Sequence, residues 1–324
     1  MQIQKFNTKE KVFIIAEIGN NHEGSYTLAE EMIGLAAEAG ADAVKFQTII
    51  PERLVSLQQQ ERIHQLKKFQ LSYNEFGKLA KVAKNQNVIF LSTPFDIDSA
   101  IFLNDVVPAY KIASGDNDFF PLIEVIAKTG KPIIMSTGFM NQVEVKKSVM
   151  FIKNIWQENS IGQELALLHC ISSYPASLES ANLLLIPELE QFCDVVGYSD
   201  HTAGIEASLA AVALGAKIIE KHITINKNLP GPDHKASINP KEFSKMVRYI
   251  RNITTALGSG IKKVTQSELK NIKIVRTSIV AAREIKKGEK FSKKNLTIKR
   301  PGTGISPMKF YKIIIIFNFF HKLY

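Results

Sequence analysis

Eight short apolar segments, each followed by a stretch with helical spacing, fill the first 258 residues of the chain. Alternating strand and helix units favour a parallel sheet joined by right-handed crossovers. Eight such units favour closure of that sheet into a (β/α)8 TIM barrel, an α/β fold. We therefore predict a barrel domain over residues 1–258, with strands at residues 12–18, 43–47, 88–91, 109–113, 132–135, 165–168, 195–198 and 217–219.

Polar side chains lie within or just beyond the C-terminal end of nearly every predicted strand. In a barrel this rim carries the active site, whereas an open, doubly wound sheet concentrates such residues at one switch point. The distribution favours the barrel and keeps the doubly wound sheet as the alternative. The residues concerned are Glu17, Lys45, Gln47, Thr93, Lys111, Ser114, Ser136, His169, Ser199, His201 and His222.

The seventh and eighth predicted strands are each followed or ended by a histidine, His201 and His222. If the two strands are parallel neighbours, both imidazoles lie on one rim. With Asp200, Glu220 and Asp233 nearby, they are candidates for a divalent-metal site. The alternative is a pair of unrelated histidines, one of which caps a helix.

Glu17, Lys45 and Lys111 are charged residues inside segments that should be core. A buried charge is costly unless it is paired or used. Two lysines at equivalent strand positions, together with strand-end serines, suit an anionic substrate such as a phosphate or a carboxylate. For either lysine alone, a salt-bridged or snorkelling side chain is an equal alternative.

The remaining candidate residues have simpler interpretations. His22 follows a glycine turn and suits a loop or capping role as well as a catalytic one. His169 is predicted to support the site from behind, because residues that orient ligands commonly lie there. Cys170 and Cys193 are predicted to belong to the core.

Two cysteines exclude a disulfide framework and favour a reducing, cytoplasmic compartment. The N-terminus lacks the basic and apolar regions of a signal peptide, and no apolar run approaches the ~18 residues of a membrane-spanning helix. Residues 262–324 hold 16 Lys and Arg against 3 Asp and Glu, and the rest of the chain holds 25 against 28. Without interleaved aromatic residues, we interpret these charges as a solvated basic face and predict neither a nucleic-acid nor a membrane partner.

The C-terminal part of the chain has a different pattern. Residues 259–274 have the composition of a linker, and residues 275–324 are predicted to form a small β-rich domain with strands at 275–281 and 296–299. Such a module is too short to bury much core alone. It should pack against its own barrel or against a partner subunit.

Several motifs in order along the chain resemble the sialic acid synthase family, the N-acylneuraminate synthases, which include legionaminic acid synthases. The resemblance covers roughly residues 10–305 and is more specific than any one motif. It implies the barrel followed by an antifreeze-like (SAF) cap domain, in a domain-swapped homodimer. The motifs are IIAEIGNNHEGS (14–25), DAVKFQT (42–48), YKIASGDN (110–117), GKPIIMSTG (130–138), GYSDHT (197–202), IIEKHIT (218–224) and GPDHKAS (231–237).

The reaction that this resemblance implies condenses phosphoenolpyruvate with an N-acyl mannosamine-type sugar to give a nonulosonic acid and phosphate. A divalent metal such as Mn²⁺, with Mg²⁺ or Co²⁺ as alternatives, would be held by His201 and His222 and would polarise the open-chain aldehyde. C3 of phosphoenolpyruvate would attack that carbon, water would add at C2, and phosphate would leave by C–O cleavage.

The resemblance also implies roles for individual residues. Glu17 would lie beside the metal as an acid or base, and Arg300, from the partner subunit's cap domain, would reach the N-acyl group. Gln47, Asp116, Tyr174 and Asp233 would face the sugar. Phosphoenolpyruvate would be held by Lys45, Thr93, Lys111, Ser114, Ser136 and Ser199.

The sequence departs from the family pattern at three places. Asp116 stands where many members have Glu, and Ser172 stands where many have Asn, so the exact sugar is open. The GPDHKAS motif is typical of legionaminic-type and spore-coat synthases as much as of N-acetylneuraminate synthases, and less of the pseudaminic acid branch. After Met308 the cap pattern gives way to KFYKIIIIFNFFHKLY, which indicates a truncated or frame-altered cap. Because an apolar, β-prone run without charge favours aggregation, we predict a poorly packed, aggregation-prone end.

Two other functions are compatible with these residues. One is a different metal-dependent barrel aldolase or lyase that acts on a phosphorylated sugar. The other is a catalytically impaired binding protein of the same fold, associated for example with a spore coat.

Overall fold

A computed structural model describes residues 1–320 of the chain. The chain divides into two compact units, the first spanning Met1–Gly258 and the second beginning at Ser259. Each unit is described by itself.

The first unit is built on eight parallel strands that form a nearly closed barrel, as the sequence predicts. The ladder is continuous in the order β3-β2-β1-β8-β7-β6-β5-β4, and the two end strands, β3 and β4, lie against each other. The strands are β1 (Phe13–Gly19), β2 (Ala43–Thr48), β3 (Ile89–Pro94), β4 (Tyr110–Ile112), β5 (Ile133–Ser136), β6 (Leu165–Cys170), β7 (Val195–Asp200) and β8 (Ile218–His222).

Alternation along each strand sends every second side chain into the barrel. On β1, Phe13 and Ile15 belong to the inner cluster, while Ile14 and Ile18 belong to the outer cluster beneath the helices. The inner apolar layers fill the N-terminal half of the barrel, which the hairpin of Gln2–Ile3 and Phe6–Asn7 covers. The next inward positions on the same strands, at their C-terminal ends, carry the polar residues.

At least one helix follows each strand, and capping residues fix where several of them begin. Ser72, Asn141 and Asn239 each form a capping box with the glutamate three residues later. The main helices are α1 (Tyr26–Glu38), α2 (Tyr73–Asn85), α3 (Ile97–Leu103), α4 (Phe120–Lys128), α5 (Gln142–Glu158), α6 (Leu185–Glu188), α7 (Glu206–Ala213) and α8 (Pro240–Leu257).

The segment between β2 and α2 contains two further helices, Pro51–Leu54 and Gln60–Lys67. The sequence was compatible with either a mobile loop or an additional short helix in this segment. The structure shows the helical alternative, with two helices. Among residues 1–320, no helix has both the length and the apolar character that are needed to cross a membrane.

Within residues 259–320, the second unit contains two α-helices, a short 3-10 helix at Pro307–Lys309 and a two-stranded antiparallel sheet. Its elements are α9 (Gln266–Val275), β9 (Ser278–Ala281), β10 (Leu296–Lys299) and α10 (Phe310–Phe320). Part of the predicted linker over residues 259–274 is therefore helical, and the strand expected from residue 275 begins at Ser278. The start of α9 is visible in the sequence, because Thr265 and Glu268 have the spacing of a capping box, which they form in the structure.

The isoleucine-rich run near the C-terminus, which the sequence marks as β-prone, is a helix in the structure. A helix satisfies the backbone groups of this run within one segment, whereas a strand would need a partner. Met308, Tyr311 and Ile315 remain 95%, 64% and 67% exposed. Aggregation of this run stays a prediction, and residues 321–324 lie outside the described part of the chain.

Candidate active site

A cavity of about 200 Å³ opens at the C-terminal end of the barrel strands. It gathers most of the residues that the sequence singled out, because each lies at an inward position or in a loop at a strand end. The predicted residues that line it are Glu17, Lys45, Gln47, Thr93, Lys111, Ser114, Ser136, Tyr174, Ser199, His201 and His222. Residues not included in the predicted site also line it: Phe95, Ala113, Gly115, Phe139, Cys170, Ser172 and Glu220.

The floor of the cavity is a cluster of four buried charges. Lys45 Nζ lies 2.7 Å from Glu17 Oε2 and 3.7 Å from Glu220 Oε2, and Lys111 Nζ lies 3.7 Å from Glu220 Oε1. All four side chains are at most 6% exposed. The two carboxylates hold the lysines close together. Burial lowers the pKa of Lys45, but Glu17 and Glu220 outweigh burial and the net pKa is raised. Burial outweighs Glu220 at Lys111 and lowers the pKa of that lysine.

Glu220 is the member of this cluster that the predicted site omitted. Ser199 Oγ donates to Glu220 Oε1 at 2.8 Å. Burial raises the pKa of Glu220, but Lys111, Lys45 and the Ser199 hydroxyl outweigh burial, so the net pKa is lowered. The sequence spacing could have placed Glu220 in the cavity. Alternate residues of a strand share one face, so Glu220 lies on the inward face of β8 with Ile218 and His222.

Glu17 has the opposite balance. Burial raises the pKa of Glu17 to about 7, against the lowering effect of Lys45. Gln47 Nε2 donates to Glu17 Oε1 at 3.2 Å, and Asn20 Nδ2 donates in turn to Gln47 Oε1 at 3.0 Å. A carboxyl group that titrates near neutral pH can both take up and release a proton.

Hydroxyl groups surround the two lysines. Lys45 Nζ donates to Thr93 Oγ1 at 3.2 Å, and Lys111 Nζ donates to Ser136 Oγ at 2.7 Å. The Gly138 backbone N–H donates to Ser114 Oγ at 3.2 Å. A Cβ atom on Gly138 would lie 2.4 Å from Ser172 Oγ and 2.6 Å from Ser114 Oγ, so glycine is what lets these hydroxyls approach. Such a set of cations and hydroxyls is suited to a phosphate or carboxylate.

His201 and His222 face one another across β7 and β8, with ring centroids 5.4 Å apart. His201 Nδ1 lies 2.8 Å from the Ile171 carbonyl oxygen, which leaves Nε2 as the free ring nitrogen when the imidazole is neutral. Burial, together with the nearby His201 and Lys45 side chains, holds the pKa of His222 well below its usual range. The Tyr174 ring packs against both imidazoles, with its centroid 4.1 Å from that of His201 and 5.8 Å from that of His222.

Of the residues predicted to face the sugar, Gln47 and Tyr174 line the cavity, and Asp233 lies at its edge. Asp233 Oδ2 is 3.9 Å from His222 Nδ1. Gly19, at φ +53°, makes room for this group, because a Cβ atom there would lie 3.0 Å from Glu17 Oε1 and 3.5 Å from Asp233 Oδ2.

Asp116 lies in the loop after β4 and is 8% exposed. Its Oδ2 is buried without a hydrogen-bond partner among the described residues, and burial raises its pKa to about 6. Arg300 follows β10 in the second unit. Its contact with the N-acyl group of a sugar bound in the partner subunit's barrel stays a prediction.

Asp200 does not join the histidines, contrary to one reading of the sequence. It pairs with Lys221 Nζ at 3.1 Å and accepts from the Thr202 and Ser208 hydroxyls, and both ions are fully buried. Asp200 and Lys221 are also partners in the register between β7 and β8. Because neighbouring residues on a strand face opposite sides, this pair lies on the other face from Glu220 and His222.

Cys170 is buried as predicted, but it lines the cavity and is not merely core. Its Sγ accepts from Ser114 Oγ at 3.5 Å and lies 3.7 Å from His201 Nδ1. Burial raises the pKa of this thiol, but contact with His201 outweighs it and the net pKa is lowered. Cys193 belongs to the core, where burial raises its pKa to about 11.

The other two conspicuous histidines lie outside the cavity lining. His22 is fully buried against Phe46, and its Nδ1 accepts from the Gly24 N–H at 3.1 Å. His169 Nε2 lies 2.7 Å from the Ala181 carbonyl oxygen and its ring stacks on Tyr198. Both have structural partners that account for their positions.

The donor set fits a divalent metal shared by two imidazoles. His222 Nδ1 is buried without a hydrogen-bond partner in residues 1–320, and His201 is oriented by a backbone carbonyl, as metal-binding histidines usually are. Within the same residues, no three or more His, Cys, Asp or Glu side chains are grouped to hold a metal. The remaining ligands of such an ion would therefore come from substrate or water.

Comparison with known proteins agrees with this architecture. The NeuB family model matches residues 32–262. The chain belongs to the NeuB family. A SAF domain model matches residues 276–314, which confirms the antifreeze-like domain expected after the barrel.

Relatives within the NeuB family are similar over nearly their full length. The chain is 44% identical to N,N'-diacetyllegionaminic acid synthase of Campylobacter jejuni, covering 94% of this chain and 95% of that protein. The enzyme of the same name from Legionella pneumophila is 41% identical, with 93% and 89% covered. A crystal structure of N-acetylneuraminic acid synthetase from Leptospira borgpetersenii superposes with a TM-score of 0.78 at 36% identity, with 84% and 94% covered. The chain is thus an enzyme, a transferase of the sialic acid synthase type.

Proposed function

We propose that this NeuB family enzyme condenses phosphoenolpyruvate with an open-chain N-acyl mannosamine-type sugar, giving a nonulosonic acid and inorganic phosphate. The observation that carries the proposal is the placement of Lys45 and Lys111 beside His201 and His222 in one cavity. Two buried lysines ringed by hydroxyls suit a small, highly charged anion, and the imidazole pair suits a metal that activates a carbonyl.

The bonds change as follows. C3 of phosphoenolpyruvate bonds to the aldehyde carbon, whose oxygen gains a proton and becomes a hydroxyl. Water adds at C2 and loses one proton. The new C2 hydroxyl then gives its proton to the bridging oxygen as the bond between C2 and that oxygen breaks, so C2 becomes a ketone and the phosphate leaves as hydrogen phosphate. The proton lost by water balances the proton gained by the aldehyde oxygen.

The residues of the chain divide this work. Lys45 and Lys111 hold phosphoenolpyruvate through its phosphate and carboxylate, with hydroxyl donors from Thr93, Ser114, Ser136 and Ser199. Glu17 takes the proton of water and returns it to the aldehyde oxygen, which its pKa of about 7 permits. Glu220 fixes the two lysines between which the anion binds.

A divalent metal on His201 and His222, which we propose to be Mn²⁺, with Mg²⁺ or Co²⁺ as alternatives, would supply a Lewis acid for the aldehyde. Gln47, Asp116, Tyr174 and Asp233 are proposed to contact the sugar. We also propose a domain-swapped homodimer in which Arg300 from the partner subunit's SAF domain completes the sugar site.

The names of the relatives favour a sugar of the N,N'-diacetyllegionaminic acid type. A single acetamido group is distinguished by pocket shape, so we propose a 2,4-diacetamido-6-deoxy mannose as the first substrate to test. N-acetylmannosamine is the natural comparison, because it lacks the 4-acetamido group and keeps the 6-hydroxyl.

The test is phosphate release from phosphoenolpyruvate across a panel of N-acyl mannosamine analogues, with products identified by mass. Release should require both Mn²⁺ and a sugar, and ¹⁸O placed in the bridging oxygen should appear in phosphate. Release without sugar, or ¹⁸O retained in the organic acid, would show that this mechanism is wrong. Product formation without phosphate release would favour a different barrel aldolase, and binding without turnover would favour an impaired binding protein.

A further inference from the structure

Asp233 reaches the edge of the cavity from a loop that has few fixed points of its own. The loop runs from the end of β8 to the start of α8, and its middle part, residues 225–232, is exposed or half-buried. Asp233 itself is not on a strand. Its position 3.9 Å from His222 must therefore be set by contacts elsewhere in the loop.

A buried histidine next to Asp233 makes those contacts. His234 is fully buried, with Nε2 2.6 Å from Glu23 Oε1 and Nδ1 2.7 Å from Thr224 Oγ1. Both ring nitrogens are thus engaged, one by the loop after β1 and the other by the end of β8. A hydrogen bond to a carboxylate is among the stronger kinds in proteins.

Two further features support this arrangement. Asn21, two residues before Glu23, donates through Nδ2 to Ser237 Oγ at 2.8 Å, and Ser237 Oγ donates to the Asp233 carbonyl at 2.7 Å. A Cβ atom on Gly231 would lie 2.4 Å from Glu23 Oε1 and 2.9 Å from the His234 ring. Only glycine at position 231 leaves the Glu23–His234 pair its present geometry.

We propose that Glu23 and His234 are positioning residues for the sugar: their hydrogen bond anchors the β8–α8 loop to the β1–α1 loop and so places Asp233. This inference rests on the proposed function, in which Asp233 contacts the sugar. The residues that hold phosphoenolpyruvate lie on or next to other strands and do not depend on this loop. The pair therefore governs affinity for one substrate and not for the other.

The decisive experiment compares Glu23→Ala, Glu23→Gln and the exposed-surface control Glu31→Ala. Glu23→Ala should raise the KM for the sugar by about 10- to 100-fold, the range for losing a hydrogen bond to a charged group, and change the KM for phosphoenolpyruvate less than about 3-fold. Glu23→Gln keeps an oxygen acceptor for His234 and should recover most of the loss. Glu31→Ala should match the wild type in both constants.

A second measurement does not depend on turnover. Trypsin should cleave Glu23→Ala after Lys227 or Lys235 several-fold faster than it cleaves the wild type, because the loop has lost its anchor. Equal cleavage rates, or a parallel rise of both KM values, would overturn the proposal. If the wild type turns over no sugar, the proposed function has failed, and the cleavage rates still decide whether the pair anchors the loop.

Discussion

Glu17 Oε2 and Lys45 Nζ form a 2.7 Å ion pair at the floor of the cavity, where both side chains are at most 4% exposed. The pair joins neighbouring strands, since Glu17 and Lys45 are register partners on β1 and β2. Glu220 faces the same lysine from the other side at 3.7 Å. Lys111 Nζ lies 3.7 Å from the other oxygen of Glu220, so two lysines and two carboxylates share the floor of the cavity.

The first prediction concerns pH. The pKa of Glu17 is raised to about 7, so the carboxylate form needed to accept a proton is lost as pH falls through that value. The rate with saturating substrates should therefore fall on the acid side of pH 7. Glu17→Gln should lower kcat by about 10²- to 10⁴-fold and remove this acid limb. A variant that keeps the limb would assign it to another group.

The second prediction concerns the anion site. Lys111 Nζ is buried among Ser136 Oγ, the Ile112 carbonyl oxygen and Glu220. An uncharged side chain of similar length, such as methionine, cannot replace its charge. Lys111→Met should raise the KM for phosphoenolpyruvate by about 10- to 100-fold, the cost of losing a charge-assisted contact. Lys81→Met, at an exposed position on α2, is the control and should leave this KM unchanged.

The third prediction concerns the metal. Treatment with a chelator should abolish phosphate release, and Mn²⁺ should restore it. His222→Ala removes one of the two imidazoles and should lower metal affinity at least about 10-fold, as measured by calorimetry. His64→Ala, at an exposed position on the helix Gln60–Lys67, is the matched control. Full activity of His222→Ala after chelation would contradict the assignment of the metal site.

The fourth prediction concerns the choice of sugar. Asp116 is buried and its Oδ2 lacks a hydrogen-bond partner among the described residues, so this oxygen is available to the sugar, and one more methylene would move it. Asp116→Glu should lower kcat/KM for the preferred sugar by about 10-fold while leaving the KM for phosphoenolpyruvate unchanged. Asp118→Glu, two residues along and exposed, should have no effect.

The fifth prediction concerns the dimer. Arg300→Ala should raise the KM for the sugar, so it should have little activity at a sugar concentration far below that KM, where the mixing experiment is done, and His222→Ala should be inactive. Mixed dimers of the two variants contain one intact site only if Arg300 acts across subunits. Random mixing should then recover about a quarter of the wild-type activity, since half of the dimers are mixed and each has one good site of two. No recovery after confirmed subunit exchange would place Arg300 in its own subunit's site or outside it.

Much of the site follows from strand period alone. Once β1 is known to send Phe13 and Ile15 inward, Glu17 must face the same way. The same rule applied to Ile218 places Glu220 in the cavity, where the sequence analysis gave it no role beyond lying near the histidines. Cys170 follows Ala166 and Leu168 on β6 by the same spacing. The predicted strands at 88–91 and 217–219 ended three residues early, the one at 109–113 ended one residue late, and the others ended one or two residues early. The early ends left inward positions such as Glu220 outside the predicted strands.

The sequence by itself determined the order of eight strand and helix units, the rim on which the polar residues lie, and the pairing of His201 with His222. These follow from local pattern and from the parallel barrel that eight units imply. Only the tertiary structure decided which charges meet. Lys45 and Lys111 converge on Glu220 because barrel curvature brings inward side chains of non-adjacent strands together, whereas Asp200 and Lys221 pair on the outer face because register places them side by side. Inter-strand distances and register depend on packing throughout the barrel, and a single segment of sequence does not encode them.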